Sequence, residues 1–123
     1  NFLVDVASLK QPGVAFFVAR DAGQLLGFGA IAARGADEAG ALWAELKRMY
    51  VAPAARGRRI GRLILDRLLD HAKAQDIAVL RLETGNKQLE ALSLYRSVGF
   101  AHRGPFGDYP DNESSIYMEM RIA

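Results

Sequence analysis

The 123-residue chain contains no cysteine. Disulfides, thiolate zinc sites, iron–sulfur clusters and any reaction that passes a group through a cysteine of this chain are therefore excluded. Histidine is nearly as scarce. With only His71 and His102, a multi-histidine metal site is excluded too, and no metal is expected. The longest near-apolar run, Leu25 to Ala33, covers nine residues, whereas a membrane helix needs roughly 20. Internal repeats and low-complexity tracts are absent, and charged residues make up 24% against 50% apolar. That balance excludes disorder and describes one soluble domain over residues 1–123. No charged-then-apolar leader opens the chain, so a cytoplasmic location is expected. The first residue is Asn1 rather than Met, inside an amphipathic stretch (Phe2, Leu3, Val6, Leu9). An N-terminal piece ahead of it is expected.

Net charge is only +2, but the total hides a split. Residues 47–73 hold eight basic side chains against two acidic ones, while the rest of the chain holds eight against twelve. One segment is built to meet an anion.

The apolar pattern predicts a mixed α/β (α+β-like) sheet. Val14 to Arg20 is β-rich, and Asp21 to Gln24 reads as a turn into a second strand from Leu25 to about Arg34. After a polar loop, Gly35 to Gly40, a strand runs from Ala41 to Val51. Its alternation sits on even numbers at Leu42, Ala44 and Leu46, breaks at Lys47-Arg48, and resumes on odd numbers at Met49 and Val51. An inserted residue, a β-bulge, produces such a phase change; a strand with two wet faces is the alternative. From Ile60 the apolar positions Ile60, Leu63, Ile64, Leu68, Leu69 and Ala72 fall at helical spacing. A strand at Ile77 to Glu83, a helix from Lys87 to Val98 capped by Gly99, and a last alternating strand from Ile116 to Ile122 complete the chain.

The chemistry-bearing stretch lies between the third strand and the first helix: Arg56-Gly57-Arg58-Arg59-Ile60-Gly61-Arg62. A helix N-terminus presents unpaired N–H groups and suits phosphate. Cations there oppose the helix dipole, so Arg58, Arg59 and Arg62 point to a compensating anion; a solvated basic face is the bland alternative. A Walker loop is excluded, because Gly61 is followed by Arg62 and neither Lys nor Ser/Thr is in place. Gly27-Phe28-Gly29-Ala30-Ile31-Ala32 fits a dinucleotide fingerprint by letters alone, since it lies in a strand and opens no helix.

Arg56-Gly57-Arg58-Arg59-Ile60-Gly61 resembles the Gln/Arg-x-x-Gly-x-Gly/Ala signature of the GNAT superfamily of N-acetyltransferases, and Glu45 to Val51 resembles the strand before it. Downstream, Ala91-Leu92-Ser93-Leu94-Tyr95-Arg96-Ser97-Val98-Gly99-Phe100 is similar to the family's A-x-x-L-Y-x-x-x-G-F helix end. The resemblance covers roughly residues 41–103. Arg59 stands where the signature usually has glycine, and Gln88 where the second motif usually has asparagine. The resemblance implies a GNAT fold with a bulged, splayed strand pair, and acetyl-coenzyme A as donor. The donor's pyrophosphate would lie on Arg56, Gly57, Arg58, Arg59, Ile60, Gly61 and Arg62, its pantetheine along Met49, Tyr50 and Val51, with Gln88 nearby. It also implies a first strand and one or two helices ahead of the hairpin, with Asn1 to Gln11 as the end of that helical region and the N-terminal strand and helix missing from this chain, and dimers are common among relatives.

Transfer to an amine needs a base or water path and a donor to the departing thiolate. Tyr95 matches the family tyrosine at the coenzyme A sulfur; on position alone it reads as helix-end packing. Glu45 and Glu83 are the candidate bases, each equally readable as a charged strand residue. Phe106 to Glu113 combines two aromatics with three acids, so Asp108 and Tyr109 are expected to line the acceptor pocket. His71 and His102 read as structural. The expected function is N-acetyl transfer to a primary amine of a small molecule or peptide by direct attack in a ternary complex. A non-catalytic acyl-CoA-binding domain is the alternative. A nucleic-acid module on the Arg56–Lys73 surface ranks lower, because stacking aromatics are missing there apart from Tyr50.

Overall fold

The structure, a computed structural model, describes residues 3–7 and 13–123. Seven strands form one mixed sheet in the order β1-β2-β3-β4-β5-β7-β6. They are β1 (Leu3–Ala7), β2 (Val14–Asp21), β3 (Gln24–Ala36), β4 (Leu42–Val51), β5 (Val79–Gly85), β6 (Ala101–Arg103) and β7 (Ser115–Arg121). The helices are α1 (Ile60–Ala74) and α2 (Leu89–Val98). Among the described residues only β4 and β5 pair in parallel, and a parallel pair needs the crossover that α1 supplies.

Every element expected from Val14 onward is present, with ends displaced by about two residues. Two features differ from expectation. The three-residue β6 is too short to carry a periodic signal. The stretch expected to end a helical region is corrected: Leu3–Ala7 is a strand, antiparallel to β2 with Val6 opposite Phe17. Its sequence, Leu-Val-Asp-Val-Ala, holds two β-branched residues, and the open edge of β2 offers backbone partners. The remainder of Asn1 to Gln11 lies outside the described residues.

The phase break in β4 is a bulge. Lys47 pairs with Ala30 and Tyr50 with Phe28, so three steps on β4 match two on β3. Before the bulge Ala44 and Leu46 enter the core; after it Met49 and Val51 pack against the same core. The pairing of β4 with β5 stops at Leu46 opposite Leu82. From there β4 runs on with β3, and β5 runs on with β7 as far as Gly85 opposite Ser115. The two parallel strands therefore splay apart directly after Glu45 and Leu46.

Helix α1 buries Ile60, Ile64, Leu65, Leu68 and Ala72. Leu65, not among the expected positions, is fully buried, while Leu63 and Leu69 are only partly so. At about 100° per residue Leu65 falls between Ala72 and Leu69, so it belongs to the same face, with Leu63 and Leu69 at its margins. The helix rests on β3 where the Gly-x-Gly lies. A Cβ on Gly27 would stand 2.5 Å from the Tyr50 carbonyl oxygen and 3.0 Å from Ile64 Cδ1. These glycines permit close helix–sheet approach and hold no nucleotide. Phe28 stacks with Phe16 and Tyr50, both at 5.2 Å between centroids. No helix among the described residues is long and apolar enough to cross a membrane.

Gly27→Ala is expected to cost about 1–3 kcal/mol by overpacking against main chain. Gly104→Ala, with nothing within 4 Å of its Cβ position, is expected to stay within about 0.5 kcal/mol. Urea-unfolding midpoints of the two variants check the contrast.

Candidate active site

Past Val51 the Ala52 amide still donates to the Leu26 carbonyl at 2.8 Å. A 3-10 turn, Pro53–Ala55, then leads to Gly57 at φ +82° and Arg59 at φ 60°, ψ 29°. Arg59 caps α1 in the left-handed region, where a side chain costs about 1–2 kcal/mol. The usual glycine of the signature at this position thus has a conformational reason. Among the described residues the backbone N–H groups of Gly57, Arg59, Ile60, Gly61 and Arg62 donate to no protein acceptor; the first helical donor is Leu63, bonded to the Arg59 carbonyl at 3.1 Å.

These amides open on a groove of about 750 Å³. Of the residues expected to bind the donor, Met49, Tyr50, Val51, Arg56, Gly57, Arg59, Ile60, Gly61, Arg62 and Gln88 all line it. Arg58 does not: its guanidinium turns to the Asp21 carboxylate at 3.0 Å. Sequence reasoning named neither Leu94 nor Lys87, which also line the groove. Helical spacing could have found Ala91, four residues before Tyr95, and Leu94, three after Ala91, whereas Lys87 has no such signal. Gly61 lies close to α2, since a Cβ there would meet Leu94 Cδ2 at 3.1 Å.

Tyr95 lines the same groove and is only 6% exposed. Its ring meets Phe100 edge-on at 5.7 Å. Two features of the helix end hold that geometry: Gly99 turns left-handed at φ 117°, and the Phe100 amide returns to the Tyr95 carbonyl at 3.0 Å. Among the described residues the phenol has no hydrogen-bond partner, yet it is not sealed from solvent. Burial pushes its pKa up to about 12, so it is a neutral O–H donor at any working pH.

A second groove, about 450 Å³, is lined by Arg34, Trp43, Glu45, Lys47, Phe106, Gly107, Asp108 and Tyr109. The structure therefore brings Glu45, Asp108 and Tyr109 together. Glu45 is 4% exposed. Its Oε1 accepts from Arg34 Nη2 at 3.0 Å and Nε at 3.3 Å, and its Oε2 accepts from the Tyr109 hydroxyl at 2.5 Å. Desolvation, helped by the Glu45 carboxylate, pushes the Tyr109 phenol up to about 12. Arg34 reaches Glu45 because it is the extra residue of a second irregularity, where Ala33 and Gly35 of β3 flank it opposite Ala44 and Trp43. Glu83 lines neither groove and accepts from the Ser115 hydroxyl at 2.8 Å. Of the two base candidates, only Glu45 faces a groove. His71 packs edge-on against Phe17 and His102 meets Arg96 at 3.0 Å, both away from the two grooves. No metal-ligand group occurs among the described residues.

Comparison with known proteins identifies the arrangement. Residues 12–102 match the family model of the acetyltransferase (GNAT) domain. The chain belongs to the GNAT acetyltransferase family. This GNAT protein is 46% identical over 119 residues to the IAA acetyltransferase of Azospirillum brasilense, covering 97% of its own length and 75% of the relative's. It superposes with a TM-score of 0.84 on a Klebsiella pneumoniae structure assigned as an acyl-CoA N-acyltransferase, at 26% identity, covering 98% and 97% of the two chains. The PaiA N-acetyltransferase of Thermoplasma acidophilum, solved in complex with coenzyme A, shares the fold with a TM-score of 0.74 at 24% identity, over 89% of this chain and 62% of that one.

Arg59→Gly should raise the stability of this GNAT domain by up to about 1 kcal/mol, because glycine removes the left-handed strain at the cost of some chain entropy. Chemical denaturation of the two proteins checks it, and an unchanged or lower midpoint contradicts the strain.

Proposed function

We propose that the protein transfers the acetyl group of acetyl-CoA to the nitrogen of a primary amine, on a small molecule or peptide, by direct attack with both substrates bound. One observation carries the reading: five unanswered backbone amides at the start of a 15-residue helix face a groove that Arg56, Arg59 and Arg62 also line. Helix-terminal amides and guanidinium groups are what a pyrophosphate requires. The groove runs on past the bulged Met49–Val51 segment to Tyr95, which suits a long, thin pantetheine arm. GNAT acetyltransferases use acetyl-CoA, in agreement.

Acetyl-CoA supplies a thioester whose acetyl carbon takes the amine and whose sulfur leaves. The amine must first lose its ammonium proton. A carboxylate offers about four acceptor positions; Arg34 and Tyr109 take up three on Glu45. One position on Oε2 is left for the amine, directly or through water: the ammonium proton passes by it to solvent before attack, and the carboxylate takes the proton that the nitrogen sheds as the carbon–sulfur bond breaks. The Tyr95 phenol, raised to about 12, lies far above a thiol near 8.5, so complete proton transfer to sulfur would be uphill by roughly 5 kcal/mol. Tyr95 instead donates a hydrogen bond to the sulfur as charge develops, and the sulfur's proton comes from solvent. No cysteine is available to carry the acetyl group, which supports direct transfer.

Tyr95→Phe is expected to lower kcat by about 10- to 100-fold, the worth of one hydrogen bond to a charged group, while acetyl-CoA affinity changes less than about threefold. Steady-state kinetics and titration calorimetry separate the two, and equal losses would contradict the role. Gly61→Asp is expected to abolish acetyl-CoA binding. Gly61→Asn, which crowds Leu94 equally but carries no charge, should retain at least tenfold more affinity. Equal affinities, or undiminished binding in Gly61→Asp, would place the pyrophosphate elsewhere.

A further inference from the structure

The second groove contains a cation that has no partner among the described residues. Lys47 is half-buried in its wall, and among the described residues it makes no ion pair or hydrogen bond. The other charges of the groove are accounted for. Arg34 and Tyr109 answer Glu45, and Asp108 is solvated at the exposed rim. An ammonium held partly out of water without an anion is unfavourable, and a bound anion would relieve that cost. Lys47 stands two residues from Glu45 on one face of β4, about 6.5 Å along the strand. That spacing suits a carboxylate and an amine on a single carbon, each meeting one of the two side chains. The rest of the wall is aromatic. Phe106 meets Trp43 edge-on at 5.7 Å and Tyr109 at 5.3 Å. Trp43 is backed by the Arg81 guanidinium at 4.7 Å.

We propose that the acceptor is an α-amino acid with an aromatic or large apolar side chain, its carboxylate on Lys47, its amine beside Glu45 and its side chain against Trp43 and Phe106. The proposal rests on reading the second groove as the acceptor side of the acetyl transfer. Lys47 has a second effect in this arrangement: a nearby cation disfavours the ammonium form of the acceptor, the form that cannot attack.

Trp43 is the one tryptophan in the chain, so its fluorescence reports occupancy of this groove without turnover. The test titrates the protein, with coenzyme A present, with N-acetyl-L-phenylalanine and with N-acetyl-L-phenylalanine amide, two products that differ in the carboxylate charge. The acid is expected to shift Trp43 emission saturably and to bind at least about tenfold more tightly than the amide. Lys47→Met should bring the two within about twofold, and Lys47→Arg should keep the preference. Equal binding of acid and amide, no change in emission from either, or a preference that survives Lys47→Met would overturn the proposal. A parallel calorimetric titration with acetyl-CoA separates the two levels. If acetyl-CoA binds and thiol is released with amines that lack a carboxylate as readily as with L-phenylalanine, only the acceptor class is wrong. If acetyl-CoA does not bind, the acetyl-transfer reading fails.

Discussion

Backbone groups inside a sheet must be paired, and the molecule is organised around the place where one pair of strands parts. β4 and β5 hold each other only as far as Leu46 and Leu82. Beyond that point each keeps only its other neighbour, β3 or β7. The backbone groups on the two edges that face across the split therefore have no strand partner among the described residues, and the opening between them is left for other groups to fill. The bulge near Met49 follows where the pairing with β5 ends, and Met49 to Val51 line the groove at the start of α1. On the same strand, Trp43, Glu45 and Lys47 line the other groove. One strand thus serves both sites, and its departure from regular pairing sets their separation.

Charge is arranged to leave that region open. Four arginines crowd the N-terminal end of α1, which the helix dipole alone disfavours. Arg58 is drawn off by Asp21 and Arg62 is partly offset by Asp66, each at 3.0 Å. Deeper in, Arg81 is 5% exposed and survives because carboxylates surround it: Glu119 at 2.9 Å, Asp37 at 3.5 Å and Glu38 at 3.6 Å. A buried cation of this kind is tolerated only when fully answered. It ties the loop before β4 to β5 and β7 and holds Trp43 under its guanidinium.

Features with local signatures were legible in the sequence. The strand–helix–strand–helix order follows from period and punctuation, and the bulge is visible as a break of phase between Leu46 and Met49. The lining of the first groove is equally legible, because its residues are contiguous at the start of α1 and helically spaced along α2. What stayed hidden depends on distant partners. Arg58 finds Asp21 37 residues away, and no local pattern announces that. Arg34 enters the second groove through a register irregularity between Ala33 and Gly35, which has no local signal. Leu3–Ala7 becomes a strand because β2 presents an edge, a property of the assembled sheet and not of the segment.

The strand order carries a consequence for how the chain comes together. β1 through β5 can pair with neighbours already present as they emerge, since their spatial order follows their order in the chain. The last two strands cannot. β6 has no partner other than β7, and β7 inserts between β6 and β5, so Ala101–Arg103 waits for Ser115–Arg121. The Tyr117 hydroxyl on β7 also fastens the loop carrying Tyr109, through the Pro110 carbonyl at 2.6 Å. The Tyr109 side of the second groove therefore depends on the last strand of the chain, through a contact remote in sequence. Loss of the Tyr117 hydroxyl would unfasten the loop that carries Tyr109 while leaving the backbone amides at the start of α1 untouched.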